Sequence, residues 1–220
     1  MNAAISSFLL VYASLFPIVN PIGGAPIFLG LTRQRSDHDR AAIARGIAVN
    51  GFFLLLGSVL VGSHLLEFFG ITLPVVRIAG GLVVTAFAWQ MLHSGNVVDG
   101  PSPKEAVSGP MGPDEVFYPL TMPLTVGPGS IAVAITVGSQ RPRSASATAA
   151  EFAMVAAGAV LGILAISLSI YVCYRYAEKM IRMLGEGGTS VLVRLSAFIL
   201  LCIGIQIIWT GYSTLVLPAS

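Results

Sequence analysis

Six long apolar stretches dominate this sequence and restrict the folds open to it. Each contains at least about 18 mostly uncharged residues, enough for a helix to cross the roughly 30 Å hydrocarbon layer of a bilayer. Of the 220 residues, 55% are apolar and only 10% are charged, which is not the composition of a water-soluble domain. We therefore predict an all-α integral membrane protein with six transmembrane helices, near residues 5–31, 42–66, 72–93, 116–138, 147–173 and 190–215.

The basic residues indicate how such a chain lies in the bilayer. Membrane proteins concentrate Lys and Arg in their cytoplasmic segments. With the amino terminus outside, only Arg77, Arg141 and Arg143 face the outer side, and the other Lys and Arg residues fall on the cytoplasmic side. The first apolar run continues too far for the core of a signal peptide and is expected to be retained. We predict a multi-pass protein of a bacterial inner (plasma) membrane with both termini in the periplasm.

A segment rich in Pro, Gly and Ser divides the chain into two halves. Each half contains three apolar runs, and short elements of the first half recur in the second. Asn20-Pro21-Ile22-Gly23 corresponds to Gly127-Pro128-Gly129-Ser130, and Arg77 corresponds to Arg194. A repeat of three spans enters the membrane from opposite sides in its two copies, so the repeats are inverted. The predicted units are a first three-helix repeat, a flexible linker and a second, inverted three-helix repeat, at 1–95, 96–114 and 115–220.

Prolines interrupt the first and fourth apolar runs at corresponding places. The first run contains Pro17, Pro21 and Pro26 within FPIVNPIGGAPIF, and the fourth contains Pro123 and Pro128. A proline inside a helix has no amide hydrogen to donate, and an unpaired backbone group is costly in hydrocarbon. Closely spaced prolines beside glycines therefore predict that the first and fourth helices are broken, each with an unwound turn between two half-helices.

The predicted breaks leave backbone groups of both polarities without partners. The amides expected to be free are those of Ile22, Gly23, Gly24, Gly129, Ser130 and Ile131. The amino end of a half-helix favours a carboxylate, and freed carbonyls favour an ammonium group or a cation. The nearby polar side chains are uncharged: Asn20, Thr121, Thr125 and Ser130. Such a site is complementary to a small zwitterion such as an amino acid.

Charged and metal-binding residues are scarce where this site is expected. No Asp, Glu, Lys or Arg lies clearly in the middle of an apolar run, so no proton-relay carboxylate is predicted, and a coupling ion, proton or sodium, stays open. Asp37-His38-Asp39 lacks the further ligand that a metal shell needs. No base is spaced to activate a Ser or Thr, so we expect no catalytic residues, no cofactor and no enzyme activity. Cys173 and Cys202 are expected to pack within the spans.

The repeat-related arginines, Arg77 and Arg194, lie near span ends and admit two interpretations. They either lock closed states as gates, or extend their charged groups to the membrane interface as anchors. A second feature, Gly158-x-x-x-Gly162 in the fifth run, is a small-residue packing face that acts within the protein or between protomers.

The sequences FPIVNPIGGAPIFLGLT (16–32) and PLTMPLTVGPGSIAVAIT (119–136) resemble those of the MarC family of bacterial and archaeal inner-membrane proteins. The resemblance extends over essentially the whole chain in span number and linker position. The family is grouped with the LysE-type exporters, which implies a six-span carrier, and some members look like transporters of alanine, glycine or threonine. The substrate-binding residues that the resemblance implies are Pro17, Asn20, Pro21, Gly23, Gly24, Thr125, Gly127, Pro128, Gly129 and Ser130.

We therefore predict an exporter of small neutral amino acids that works by alternating access of the two repeats around the broken helices. Two alternatives remain open: a carrier of an amphipathic or lipid-linked compound or drug, and a non-transporting membrane protein that binds a partner through a face such as Gly158–Gly162. The expected partners are membrane lipid and a small zwitterionic substrate, and no nucleic acid. The sequence leaves the transport direction and homo-oligomer formation open.

Overall fold

The structure is a computed structural model that describes residues 3–93, 112–139 and 148–216. Every regular element in these ranges is a helix, which confirms the predicted all-α class. The elements are α1 (Ala3–Val19), α2 (Pro21–Leu31), α3 (Asp37–Phe68), α4 (Leu73–His93), α5 (Pro113–Glu115), a π-helical segment (Val116–Thr125), α6 (Pro128–Gly138), α7 (Ala149–Arg175) and α8 (Ala177–Val216).

Five stretches of the described chain are long and apolar enough to cross a membrane. They are Ala3–Leu31, which comprises α1 and α2, and the helices α3, α4, α7 and α8. A sixth candidate consists of Pro113–Thr125 followed by Pro128–Gly138, and it is bent by 71° between these parts. The six predicted spans therefore correspond to five such stretches and one bent pair.

Local capping sets helix boundaries that the apolar pattern does not give. The second span begins at Asp37 rather than near residue 42, because the Ser36 hydroxyl accepts a hydrogen bond from the Asp39 amide at 3.2 Å. Residues 96–111 of the predicted linker lie outside the described residues. The linker's last part, from Pro113, is helical and belongs to α5.

The last helix is longer than the span predicted at 190–215. It runs over Ala177–Val216 and contains a break at Gly185, where φ is 68° and ψ is 177°. Glycine adopts this backbone readily, whereas other residues are strained there. The part before the break carries charged residues such as Glu178 and Arg182, so the apolar pattern does not mark it as helix.

The helices enclose two clusters of buried apolar side chains. The larger cluster includes Leu15 from α1, Phe28 from α2 and Leu55 from α3, together with residues of α6 and α7. The smaller cluster lies between α4 and α8, around Ala88 and Ala197. Large apolar side chains are also exposed over much of the outer surface, as expected where helices contact lipid rather than water.

Small residues allow α4 and α8 to approach closely. A Cβ atom at Gly81 would lie 2.8 Å from the carbonyl oxygen of Gly204, and one at Gly211 would lie 2.7 Å from that of Pro74. Because the later residue of α8 meets the earlier residue of α4, the two helices run antiparallel. Close packing of this kind drives helix association in hydrocarbon, because burying apolar surface there contributes little free energy.

The Gly158-x-x-x-Gly162 face packs against α1 of the same chain. A Cβ atom at Gly162 would lie 2.9 Å from Val11 Cβ and 3.2 Å from the Phe8 carbonyl oxygen, and one at Gly158 would overlap the carbonyl of Ala4. Both glycines are buried. This face is therefore covered within the chain and is not available to a partner protein.

We expect Gly162→Ala to destabilise the protein and Gly57→Ala, its control, not to. The added methyl at Gly162 must displace α1, and overpacking costs about 1–3 kcal/mol. A Cβ at Gly57 in α3 meets no atom within 4 Å, and alanine has the higher helix propensity. Thermal unfolding in detergent measures the difference, and equal midpoints for the two variants would contradict the contact between α1 and α7.

Candidate functional site

The first interruption of a span is the single residue Asn20, between α1 and α2. Its backbone is left-handed, with φ 47° and ψ 56°, and no other non-glycine residue in the described ranges has a positive φ. Asn adopts this conformation at lower cost than most residues because its short side chain forms local hydrogen bonds. Pro21 follows as the first residue of α2, where an amide hydrogen would have no helical partner.

Hydrogen bonding continues on both sides of Asn20. Its amide donates to the Phe16 carbonyl at 2.9 Å, and its carbonyl accepts from the Gly24 amide at 2.9 Å. Its side-chain Oδ1 accepts from the Gly23 amide at 3.1 Å. The prediction of free amides at Gly23 and Gly24 is therefore wrong, because Asn20 satisfies both. The predicted unwound turn is reduced to one residue, and Ala3–Leu31 remains a single candidate span.

The second interruption, at residues 126 and 127, is preceded by a longer irregular stretch. Within Val116–Thr125, the residues Tyr118 and Met122 have extended backbone, and the chain then bends by 71° into α6. Gly127 caps α6, and its carbonyl accepts from the Ile131 amide at 3.1 Å. The prediction of a free amide at Ile131 is therefore wrong, because this amide makes the first bond of the helix.

Side-chain hydroxyls bond to main-chain carbonyls around the second interruption. Thr125 Oγ1 donates to the Leu120 carbonyl at 2.8 Å. Ser130 Oγ donates to the Gly127 carbonyl at 2.8 Å. In hydrocarbon these hydroxyls supply partners that irregular backbone otherwise lacks. Their hydrogens are thus committed within the chain, whereas their oxygens keep lone pairs that accept from a donor.

Two of the glycines predicted to bind a ligand pack against neighbouring helices. A Cβ atom at Gly23 would lie 2.8 Å from Ser196 Cβ in α8, and one at Gly129 would overlap the side chain of Val84 in α4. Both glycines are buried. Glycine therefore allows α2 to reach α8 and α6 to reach α4, and a role of the same glycines in ligand binding stays a prediction.

A cavity of about 90 Å³ lies at the second interruption. Its lining includes every residue predicted for this half: Thr125, Gly127, Pro128, Gly129 and Ser130. The lining has hydroxyl and main-chain polar groups and no charged side chain. The first half contributes Ile18, Val83, Val84 and Phe87 to this lining. The structure does not bring the predicted residues of that half into the lining: Pro17, Asn20, Pro21, Gly23 and Gly24.

Tyr174 joins the two interruptions. Its hydroxyl oxygen lies 2.9 Å from Thr125 Oγ1, and a Cβ atom at Gly24 would lie 2.7 Å from the same oxygen. Because Thr125 donates its only hydroxyl hydrogen to Leu120, Tyr174 is the donor in the bond to Thr125. Tyr174 is 2% exposed, and its ring stacks on Phe28 with the centroids 4.6 Å apart.

Sequence reasoning missed two polar residues of this region. Tyr174 stands beside Arg175 at the end of an apolar run, which is typical of an interfacial aromatic residue, so the sequence gives no signal for a buried role. Asn50 is a lone amide inside the run 42–66, and a polar residue at such a position is a usable signal of function. Its Nδ2 lies 3.5 Å from Thr121 Oγ1.

The two predicted gating arginines lie at opposite ends of the α4 and α8 pair. Arg77 is near the start of α4, and its Cβ would lie 3.1 Å from a Cβ added at Gly211. Arg194 lies nearer the start of α8, about 25 Å from Gly211 along the helix axis at a rise of 1.5 Å per residue. Neither lines the cavity, and neither forms an ion pair with a carboxylate in the described part of the chain. Their role as gates or anchors stays a prediction.

Comparison with known proteins gives consistent matches. A family model described as "MarC family integral membrane protein" matches residues 5–216. The inner membrane protein MarC of Escherichia coli O1:K1 is 32% identical over 201 residues, which are 90% of each chain. The proteins of the same name from Escherichia coli strain K12 and from Shigella flexneri are 31% identical over 201 residues, again 90% of each chain. No solved structure matches the chain.

We expect Asn20→Ala to destabilise the protein more than Asn20→Gly. Both variants lose the side-chain cap on Gly23, but glycine adopts the left-handed backbone freely. Alanine costs about 1–2 kcal/mol in this conformation. Thermal unfolding of the two purified variants measures the gap, and a glycine variant no more stable than the alanine variant would contradict the left-handed geometry.

Proposed function

Because the chain belongs to the MarC family of integral membrane proteins, we propose that it is a secondary transporter that moves a small solute through the cavity at the second interruption. The observation behind this proposal is the cavity itself, which is lined by residues 123–125 and 127–130 around the second interruption and by no charged side chain. Irregular backbone at membrane depth is tolerated where it lines a cavity or is buried in protein. Substrate sites of many carriers are built from interrupted helices of this kind.

The proposed mechanism is alternating access of two inverted repeats, 1–95 and 115–220. In the first unit, α2 follows an interruption and packs on α8 of the second unit. In the second unit, α6 follows an interruption and packs on α4 of the first. This exchange of contacts, and the antiparallel pairing of α4 with α8, are expected of units related by a two-fold axis in the membrane plane. The first and fourth spans are then its two discontinuous helices.

The proposed substrates are small neutral amino acids of the alanine, glycine or threonine type. The cavity is small, and α6 presents its amino end there through Gly129 and Ser130, which favours a carboxylate. Ile18, Val84 and Leu200 offer apolar surface to a short side chain. No carboxylate lines the cavity, so a coupling proton or sodium ion is left to hydroxyl and carbonyl oxygens. The proposed direction is export, as the resemblance to LysE-type exporters suggests.

Translocation rather than catalysis is proposed for this cavity. Its hydroxyl groups, those of Thr125 and Ser130, donate to main-chain carbonyls. Nucleophilic catalysis needs a base within hydrogen-bond reach of the hydroxyl, and the lining contains no His, Lys, Asp or Glu.

The proposed location is the bacterial inner membrane, with both termini in the periplasm. The curated relatives are named inner membrane proteins. The start of α3 and the junction of α7 with α8 meet at one end of the molecule, where four basic residues line one pocket: Arg40, Arg175, Lys179 and Arg182. Basic residues favour the cytoplasmic side, so this basic end is assigned to the cytoplasm. Arg141 and Arg143, for which the sequence predicts the periplasmic side, are not among the residues that the structure describes.

We expect alkaline phosphatase to be active when fused after residue 216 and inactive when inserted at residues 33–35. This enzyme matures only outside the cytoplasm, so its activity reports the side on which the fusion point lies. A fluorescent protein that folds in the cytoplasm should give the opposite pattern at the same two points. Active phosphatase at residues 33–35 would reverse the proposed orientation.

We expect purified protein in liposomes to take up labelled alanine, and Ser130→Ala to reduce this flux by up to about tenfold, the equivalent of one ligand hydrogen bond. Ser58→Ala is the matched control, because Ser58 Oγ donates to the Leu54 carbonyl at 2.7 Å, as Ser130 does to Gly127 at 2.8 Å, but away from the cavity. Absence of both flux and thermal stabilisation across a panel of neutral amino acids would contradict this substrate class.

One observation favours a second candidate, a carrier of an amphipathic or lipid-linked compound. Val83 and Phe87 line the cavity and are also 43% and 39% exposed on the outer surface of α4. The cavity therefore borders a surface that is expected to face lipid, and an apolar tail would extend through this side. Thermal stabilisation by a single-chain amphiphile, without any by alanine, would favour this candidate over the first.

A further inference from the structure

A polar pocket of about 160 Å³ lies at the basic end of the molecule. It forms where the end of α2, the start of α3 and the junction of α7 with α8 meet. Tyr174 is part of its wall, and the charged residues of its lining are Asp37, Arg40, Arg175, Glu178, Lys179 and Arg182. We call this the basic pocket.

The basic pocket has an excess of positive charge. Arg40, with its side chain 17% exposed, forms ion pairs with Glu178 at 2.9 Å and with Asp37. Both acidic residues of the lining are therefore paired. Arg175 and Lys179 have no carboxylate within ion-pair distance among the described residues. A pocket with this balance attracts an anionic group.

One side-chain contact connects the basic pocket with the cavity at the second interruption. Tyr174 lines the pocket, Thr125 lines the cavity, and their hydroxyl oxygens are 2.9 Å apart. Both residues are 2% exposed. Gly24 lies directly beside the Tyr174 hydroxyl, where even a Cβ atom would come within 2.7 Å of it. The phenol group thus lies where the two linings meet.

A short helix follows Tyr174 and ends at the break at Gly185. Tyr174 is at the end of α7, and the first part of α8, residues 177–184, lies between the α7 end and the break at Gly185. This short helix carries Glu178, which is bonded to Arg40 of α3. The ion pair between Glu178 and Arg40 is thus a contact that holds this short helix to α3.

We propose that the basic pocket is the cytoplasmic access site for the anionic group of the transported solute, and that Tyr174 closes the passage from this pocket to the cavity. The inference rests on the proposed transport function. The passage opens when Tyr174 leaves Thr125 and changes rotamer. Thr125 also donates to the Leu120 carbonyl, and this bond does not involve Tyr174.

The test measures access to a cysteine in the cavity and requires no substrate. In a chain with Cys173→Ala and Cys202→Ala, the variant Ser130→Cys places one thiol in the cavity lining, at a position that is 2% exposed. A water-soluble thiol reagent is added to inside-out membrane vesicles. We expect Tyr174→Ala to speed labelling about tenfold or more, and Tyr174→Phe, which removes only the hydrogen bond, about two- to tenfold.

Tyr176→Ala is the matched control for this measurement. Tyr176 lines the same pocket and is 56% exposed, but it is not the residue bonded to Thr125. Its labelling rate should equal that of the parent chain. Thermal midpoints in detergent check that each variant is folded. Equal labelling rates in folded Tyr174→Ala, Tyr176→Ala and parent chains would overturn the assignment of Tyr174.

The charge preference of the basic pocket is tested with the same thiol. In the Tyr174→Ala background, a reagent bearing a sulfonate should react faster than one of similar size bearing a quaternary ammonium. Arg175→Gln combined with Lys179→Gln should remove this difference. A faster reaction of the ammonium reagent, or a preference that survives the double variant, would overturn the anionic assignment.

These outcomes separate the inference from the proposed function. Fast labelling of Tyr174→Ala without amino acid flux supports the closed passage and removes the proposed substrate class. Amino acid flux in the parent, with the thiol still protected in Tyr174→Ala, keeps the transport function and overturns the role of Tyr174.

Discussion

Backbone groups at an interrupted helix need hydrogen-bond partners that hydrocarbon does not supply, and the structure depends on how this demand is met. At the first interruption, the Asn20 side chain accepts a hydrogen bond from the Gly23 amide, and the Asn20 main chain bonds to Phe16 and Gly24 as in a helix. At the second interruption, the hydroxyls of Thr125 and Ser130 donate hydrogen bonds to the carbonyls of Leu120 and Gly127. The Gly23 and Gly24 amides and the Leu120 and Gly127 carbonyls are thus bonded to residues a few positions away in the chain itself.

The sequence predicts the fold well because the length and polarity of a span are local properties. The helical class, the candidate spans and the positions of the two interruptions follow from apolar runs, prolines and glycines. The partners of individual amides do not follow, because they depend on the left-handed backbone of Asn20 and on the capping carbonyl of Gly127. Tyr174 is unpredictable for another reason: it reaches Thr125, 49 residues earlier, only through the packing of α7 against its neighbours.

The glycines near the interruptions connect the cavity region to the scaffold. Sequence reasoning assigned Gly23 and Gly129 to a ligand; in the structure they also admit α8 and α4, and Gly129 lines the cavity. The pattern alone does not separate these uses, because a ligand and a neighbouring helix both require the absence of a side chain. The half-helices after the interruptions, α2 and α6, thus pack on the antiparallel pair of α4 and α8. A movement that reshapes the cavity must therefore either move this pair together with the half-helices or break their contacts with it.

The residue before the restarting proline differs between the halves in conformation as well as in identity. Asn20 is left-handed, whereas Gly127 is extended, with φ −87° and ψ 175°. Only the second half contributes the bend, the threonine that receives the Tyr174 hydroxyl, and the two hydroxyl side chains of the cavity lining. A dimer assembled from two copies of the first unit would therefore contain two capped, nearly continuous spans and no such cavity. The two halves of the described chain therefore supply different parts of the cavity region, and neither half alone contains all of them.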